Sequence, residues 1–273
     1  MTDYKSLIDR TALRRNRTRF IENRGAFLHG EAISEVKDRL CIINRCFNDI
    51  AIITPQRALW QNQFPDALIL EDEDVLDFQD RCFELILHVM GLHWSNDPLG
   101  QMIQSLRALR ADGLFLACLL GGETLTELRS AFATAESTVT GGLSPRVLPM
   151  SDIRDLGALL QRSGYALPVV DSVKLITSYE TPFHLMTDLR AMGETNAQSA
   201  RQKSFTRRAI FNDMSRIYST HYSNYQKRVN ATFELMWLTG WAPSEVQPKP
   251  LRPGSAKMRL SDALQVLEKS RED

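Results

Sequence analysis

The stretch from Phe83 to Leu120 constrains this chain more than any other. Phe83 to Val89 and Leu114 to Leu120 are short, uniformly apolar runs, the pattern of strands buried on both faces. Between them, Asp97-Pro98 opens a run in which Leu99, Met102, Ile103, Leu106 and Leu109 recur at helical spacing, with Gly113 just beyond. An Asp at the cap, a Pro in the first turn and a Gly past the end are the chemistry of a helix start and stop. Strand, helix and strand in this order predict a right-handed crossover, and so a mostly parallel sheet in a doubly wound α/β fold.

Two more apolar runs, Ile50 to Thr54 and Ala67 to Leu70, extend the same sheet. Upstream, Ile33, Val36, Leu40, Ile43 and Phe47 make one helical stripe facing the core. Downstream, Gly121-Gly122 leads into Thr124-x-x-Glu127, which reads as a capping box for a helix to about Thr138. A helix over Ser151 to Arg162 and a strand over Val169 to Ser178 follow, and Ala231 to Thr239 reads as the last strand. Residues 180–225 read as a helical insertion. The expected organisation is a basic N-terminal helical arm (1–30), one main domain (31–255) and a tail helix (256–273), because 273 residues suffice for one large core.

Thirty-three basic side chains cancel thirty-three acidic ones, so net charge points to neither nucleic acid nor membrane. No segment approaches the roughly 20 apolar residues of a membrane span, and the polar, arginine-rich start is unlike a secretory signal, so a cytoplasmic protein is expected. That start carries seven basic residues against three acids through Arg24, either a solvated helix or a docking arm. Cys41, Cys46, Cys82 and Cys118 form no C-x-x-C pair and read as reduced core thiols. His88 and His93 fit no common metal spacing, so no metal is expected. No nucleophile elbow or phosphate loop is present.

Phe83-Glu84-Leu85-Ile86, Gly91-Leu92-His93-Trp94-Ser95-Asn96-Asp97 and Asp112-Gly113-Leu114-Phe115-Leu116-Ala117 resemble the class I S-adenosylmethionine-dependent methyltransferase family. The similarity is to the group joining the biotin-pathway malonyl-carrier-protein methyltransferases to the mitochondrial complex I assembly factor 5, and nearer the latter. Gly121 to Arg129, Ser144-Pro145-Arg146, Asp155 to Leu160 and Arg190 to Asn196 extend it. That family carries a glycine-rich loop after its first strand, whose backbone donors approach the cofactor. This chain has Ile52-Ile53-Thr54-Pro55-Gln56-Arg57-Ala58 there, with no glycine between Gly30 and Gly91, and Pro55 lacks an N–H. Too few residues separate Thr54 from Leu70 for the family's full set of elements, so one βα unit is read as deleted.

The resemblance implies Asp72 as the one retained adenine contact. The residues themselves allow a solvated acidic loop, since Glu71 to Asp80 holds six carboxylates. His93 and Trp94, at the carboxyl end of a central strand, are the candidate pocket residues; the other reading of His93 is a hydrogen-bonded core histidine. Glu127 is read as structural and His88 as core, while Arg129, Arg154, Asp155, Arg190 and Glu194 either orient a substrate or pair with one another. Three functions follow: a pseudoenzyme without S-adenosylmethionine that binds protein, with complex I subunits as first candidates; an active methyltransferase or arginine-modifying enzyme with a rebuilt cofactor site; or a small-molecule binding protein.

Overall fold

Asp97 accepts the backbone N–H of Gly100 at 2.8 Å, and Pro98 fills the first helical position of the crossover helix, as the sequence predicts. In the computed structural model, which describes residues 6–248, the elements run as follows. Three helices come first: α1 (Arg10–Arg17), α2 (Glu22–Gly25) and α3 (Phe27–Ile43). Then come β1 (Ile50–Ile53), α4 (Arg57–Gln63), β2 (Leu68–Leu70), β3 (Phe83–Val89), a short 3-10 turn (Leu92–Trp94), α5 (Pro98–Ala108) and β4 (Leu109–Leu120). The second half holds α6 (Thr126–Thr140), α7 (Ile153–Arg162), β5 (Ala166–Tyr179), α8 (Pro182–Ala191), α9 (Arg208–His221) and β6 (Val229–Trp241).

Six strands form one sheet in the order β2-β1-β3-β4-β6-β5. β1 is parallel to β2 and β3, and β3 is parallel to β4, whereas β6 runs antiparallel to both β4 and β5. The central strands send alternate residues into two cores. Ile52, Leu85, Leu87, Leu116 and Cys118 pack beneath α3, α4, α6, α8 and α9. Ala51, Ile53, Ile86, Phe115 and Ala117 pack against Met102 of α5 and Leu156 and Leu160 of α7. Burial on both faces is why these strands read as continuous apolar runs. The fold is thus α/β and doubly wound, with α8 and α9 supplying the helices between 180 and 225.

A single seven-residue helix, α4, joins β1 to β2, and only irregular chain joins β2 to β3. Strand order reverses around β1 and β3, so the ligand crevice of such a sheet lies beyond their carboxyl ends, at Thr54, Asp72 and Met90 to Trp94.

Several expectations are corrected. Gly113 is not the helix stop: α5 ends at Ala108, and Gly113 lies inside β4 next to Asp112 at φ +60°. β4 begins five residues earlier than hydropathy suggests because Leu109 pairs across a bulge with Phe83. No capping box forms at α6, whose cap is Leu125 in the left-handed region. Thr124 Oγ1 instead donates to the Gly121 carbonyl, and Glu127 accepts from the Thr232 backbone and hydroxyl, tying α6 to β6. Of the four cysteines only Cys118 is buried; Cys41, Cys46 and Cys82 are exposed. Nor is the basic segment a separate arm, since Ile8, Ala12 and Leu13 are buried against Trp94, Leu148 and Ala197. The described residues up to Pro243 form one compact unit. The tail helix expected over 256–273 lies outside the described residues.

Candidate functional site

β3 is followed by Met90 at φ +56°, after which the chain turns sharply through the 3-10 turn that carries His93 and Trp94. Both side chains converge on one carboxylate. His93 Nε2 lies 3.2 Å from Glu194 Oε2, and Trp94 Nε1 donates to the same oxygen at 2.6 Å. Glu194 follows α8 and Gly193, whose φ of +79° and close approach to the Arg17 backbone suit only glycine. Burial alone would raise the Glu194 pKa. The charge of His93, hydrogen bonds from His93 and Trp94, and the charge of Arg17 outweigh it and hold the group below the usual carboxylate range.

The segments Ser144 to Arg146 and Arg190 to Asn196 meet here. Asn196 Nδ2 donates to the Pro145 carbonyl at 2.7 Å, and Asn16 Nδ2 of α1 donates to the Thr195 carbonyl at 2.9 Å. Arg146 pairs with Glu136 of α6, and Ser144 Oγ donates to the same carboxylate. Around this hub opens a cavity of about 400 Å³. Leu125, Leu128 and Phe132 of α6, with Met186 and Leu189 of α8, give it an apolar wall; Arg15 and Arg19 stand on the side of α1. His93, Trp94 and Glu194 also line it.

Asp72 is elsewhere. It is only 2% exposed, and both of its carboxylate oxygens bind the Arg17 guanidinium, Nη2 to Oδ2 at 2.7 Å. The Arg10 guanidinium donates to the Asp72 carbonyl, and Arg14 pairs with Glu73 at 2.7 Å. Within Glu71 to Asp80, Asp72 and Glu73 are thus paired with α1 across more than fifty residues of sequence, whereas Glu71, Asp74, Asp77 and Asp80 are exposed, as a solvated acidic loop would have them. No local signal could have shown this. On the other side, a Cβ added at Gly91 would sit 2.8 Å from the Asp72 Cβ.

The backbone after β1 is equally occupied. The Thr54 N–H donates to the Leu70 carbonyl at 3.0 Å, Pro55 has no N–H, and the Gln56 N–H donates to Thr54 Oγ1 at 3.3 Å. His88 is fully buried, with Nε2 3.1 Å from Gln101 Oε1, and burial lowers its pKa to about 4. Among the charged residues singled out from sequence, Arg129 Nη2 donates to the Leu148 carbonyl at 3.0 Å beside the cavity. Arg154, Asp155 and Arg190 are exposed. Among the described residues no group of three or more His, Cys, Asp or Glu side chains is placed to hold a metal, and no helix is long and apolar enough to cross a membrane.

A doubly wound sheet with a crevice beyond β1 and β3 and a terminal antiparallel strand pair defines a protein of the Rossmann-like methyltransferase class. No family model matches the chain. Among curated proteins it is 40% identical over 194 residues to the arginine-hydroxylase NDUFAF5, mitochondrial, of Dictyostelium discoideum, covering 71% of this chain and 44% of that one. It is 34% identical over 205 residues to the protein of the same name from Danio rerio, covering 75% and 64%. To the malonyl-[acyl-carrier protein] O-methyltransferase of Laribacter hongkongensis it is 29% identical over 202 residues, covering 74% and 62%. The chain belongs to the class I methyltransferase family, close to these two groups. It spans less than two thirds of the length of these relatives.

The expected cytoplasmic location is corrected by the same comparison, because the NDUFAF5 relatives are mitochondrial by name.

Proposed function

We propose that this chain is a methyltransferase-family protein that does not hold S-adenosylmethionine and acts through contacts with other proteins, in the mitochondrial assembly of respiratory complex I. The observation that carries the reading is the Arg17–Asp72 pair: the one side chain that the resemblance assigns to adenine is already engaged on both oxygens. The backbone after β1 supports it, since positions 54 to 56 have no N–H left to offer. The residues present do not fit the cofactor. Each charge-assisted hydrogen bond forgone weakens binding by about 1.5–3 kcal/mol, so two such losses amount to roughly two to four decades. The complex I setting rests on the similarity to NDUFAF5, and complex I subunits are the first partners to test.

The test is a melting scan with and without millimolar S-adenosylmethionine, confirmed by calorimetry. A ligand at one hundred times its dissociation constant stabilises a protein by about 2.7 kcal/mol, a rise of roughly 5–10 °C in a domain of this size. No shift is expected. A clear rise with a micromolar dissociation constant refutes the reading and favours the second one, an enzyme modifying arginine or transferring a methyl group. The names of the relatives, an arginine-hydroxylase and an O-methyltransferase, speak for that alternative. Affinity capture from mitochondria that recovers no complex I subunit counts against the assembly role.

A further inference from the structure

The cavity beside His93 carries an observation that the assembly reading does not use. Its charged lining is unbalanced. Arg146 is paired with Glu136 and Arg201 with Asp9 at 2.9 Å, and Glu194 is held by His93 and Trp94. Arg15 has no side-chain partner among the described residues, and Arg19 has only Asn16 Oδ1 at 3.4 Å. Both arginines therefore face the cavity without an acid.

Behind them the wall is apolar and buried: Leu120, Leu125, Leu128 and Phe132 are each less than a tenth exposed. Two polar atoms in this shell, His93 Nδ1 and Thr195 Oγ1, are buried with no hydrogen-bond partner, although the His93 side chain is only 3% exposed. Buried polar atoms are rarely left unpaired, and both residues belong to the cavity lining. A volume of about 400 Å³ lies within the range of small-ligand sites.

We propose that this cavity binds a medium-chain carboxylate. The carboxylate head pairs with Arg15 of α1 and with Arg19 just past its end, and the alkyl body packs on Leu125, Leu128 and Phe132. Guanidinium groups match carboxylate geometry and stay charged at every physiological pH, so the head is recognised by charge-assisted hydrogen bonds. The apolar wall supplies the remaining affinity by burying the chain. An acidic ligand without an apolar body leaves that wall empty, and an apolar alcohol leaves both arginines unsatisfied. The proposal rests on the cavity alone and stands or falls separately from the closure around Asp72.

The experiment is calorimetric titration of the full chain with decanoate, decanol, acetate and inorganic phosphate at low and moderate salt. Decanoate is expected to saturate one site, with decanol at least about tenfold weaker because the charged hydrogen bonds are lost. Acetate and phosphate are expected to give no saturable heat. Arg15→Gln combined with Arg19→Gln is expected to weaken decanoate by at least about tenfold. Neither arginine carries an ion pair in the fold, so the variant should melt like the parent; the more conservative Arg15→Lys should retain part of the affinity. Absence of saturable decanoate binding overturns the proposal. So does unchanged affinity in the double variant, or phosphate binding as tight as decanoate. S-adenosylmethionine titrated in parallel separates the outcomes, because its binding would refute the proposed loss of cofactor while leaving the carboxylate site intact.

Discussion

Replacing Arg17 by Met should destabilise this protein far more than a substitution on a basic N-terminal helix ordinarily does. The Arg17 side chain is 13% exposed and Asp72 2%, and the two are joined through both carboxylate oxygens. Removing one partner of a buried pair strands the other charge, which costs about 3–5 kcal/mol. Arg10 Nη1 remains 3.8 Å from Asp72 Oδ2 and offsets part of that loss, so the lower end, about 3 kcal/mol, is expected. For a unit of this size that is a fall of roughly 6–12 °C in melting temperature. Arg15→Met, two positions away and exposed, should change it by less than about 2 °C. The decisive assay is a double-mutant cycle with Asp72→Asn, because removing both charges leaves nothing stranded. Arg17→Met in the Asp72→Asn background should cost less than half as much as in the parent. An equal cost in the two backgrounds would show that Arg17 acts by packing alone, and the account of the closed crevice would lose its main support.

Two pH effects follow from the buried groups. Glu194 has a lowered pKa in the folded state, so its contribution is fully present above the unfolded carboxylate value of about 4.3 and is lost as pH falls through the folded one. The stability gap between the parent and Glu194→Gln, measured by urea unfolding, should therefore be constant near neutrality and shrink below about pH 4.3. A gap that persists unchanged at pH 3 would contradict the ion-pair assignment. His88 is neutral in the fold, with its pKa lowered to about 4 by burial. Between its unfolded value of about 6.5 and that point the unfolded chain binds the extra proton, so stability should drop by about 1.4 kcal/mol per pH unit on acidification. His88→Asn should flatten this slope in proportion; an unaltered slope would move the effect to other groups, His29 first, whose burial lowers its pKa to a similar value.

How much of this was legible beforehand depended on the range of the interaction. Short, uniformly apolar runs read as strands covered on both faces, and the Asp97-Pro98 start is a local hydrogen-bonding pattern, so the parallel β1, β3 and β4 could be read directly. The shortened path from Thr54 to Leu70 and the missing glycines are likewise properties of neighbouring residues. His93 and Trp94 were singled out because the carboxyl ends of strands beside a change of strand order face the crevice, and both line the cavity there. Their partner Glu194 was visible only as one charged residue among several. Capping at α6 was misread because Thr124 and Glu127 can bond as well to β6 as to their own helix, and the strand lies over a hundred residues away. Burial of Cys41 and Cys82 was misjudged for a related reason: an apolar neighbourhood in sequence does not say which side of an element meets solvent.

Local periodicity and turn chemistry, then, were enough to determine the doubly wound sheet, and the resemblance to the family showed that the glycine loop is missing. Which charges meet was decided by tertiary structure alone. Arg17 and Asp72, or His93 and Glu194, lie 55 and 101 positions apart, and a charged side chain carries no mark of its partner until chain folding brings the two within hydrogen-bond reach.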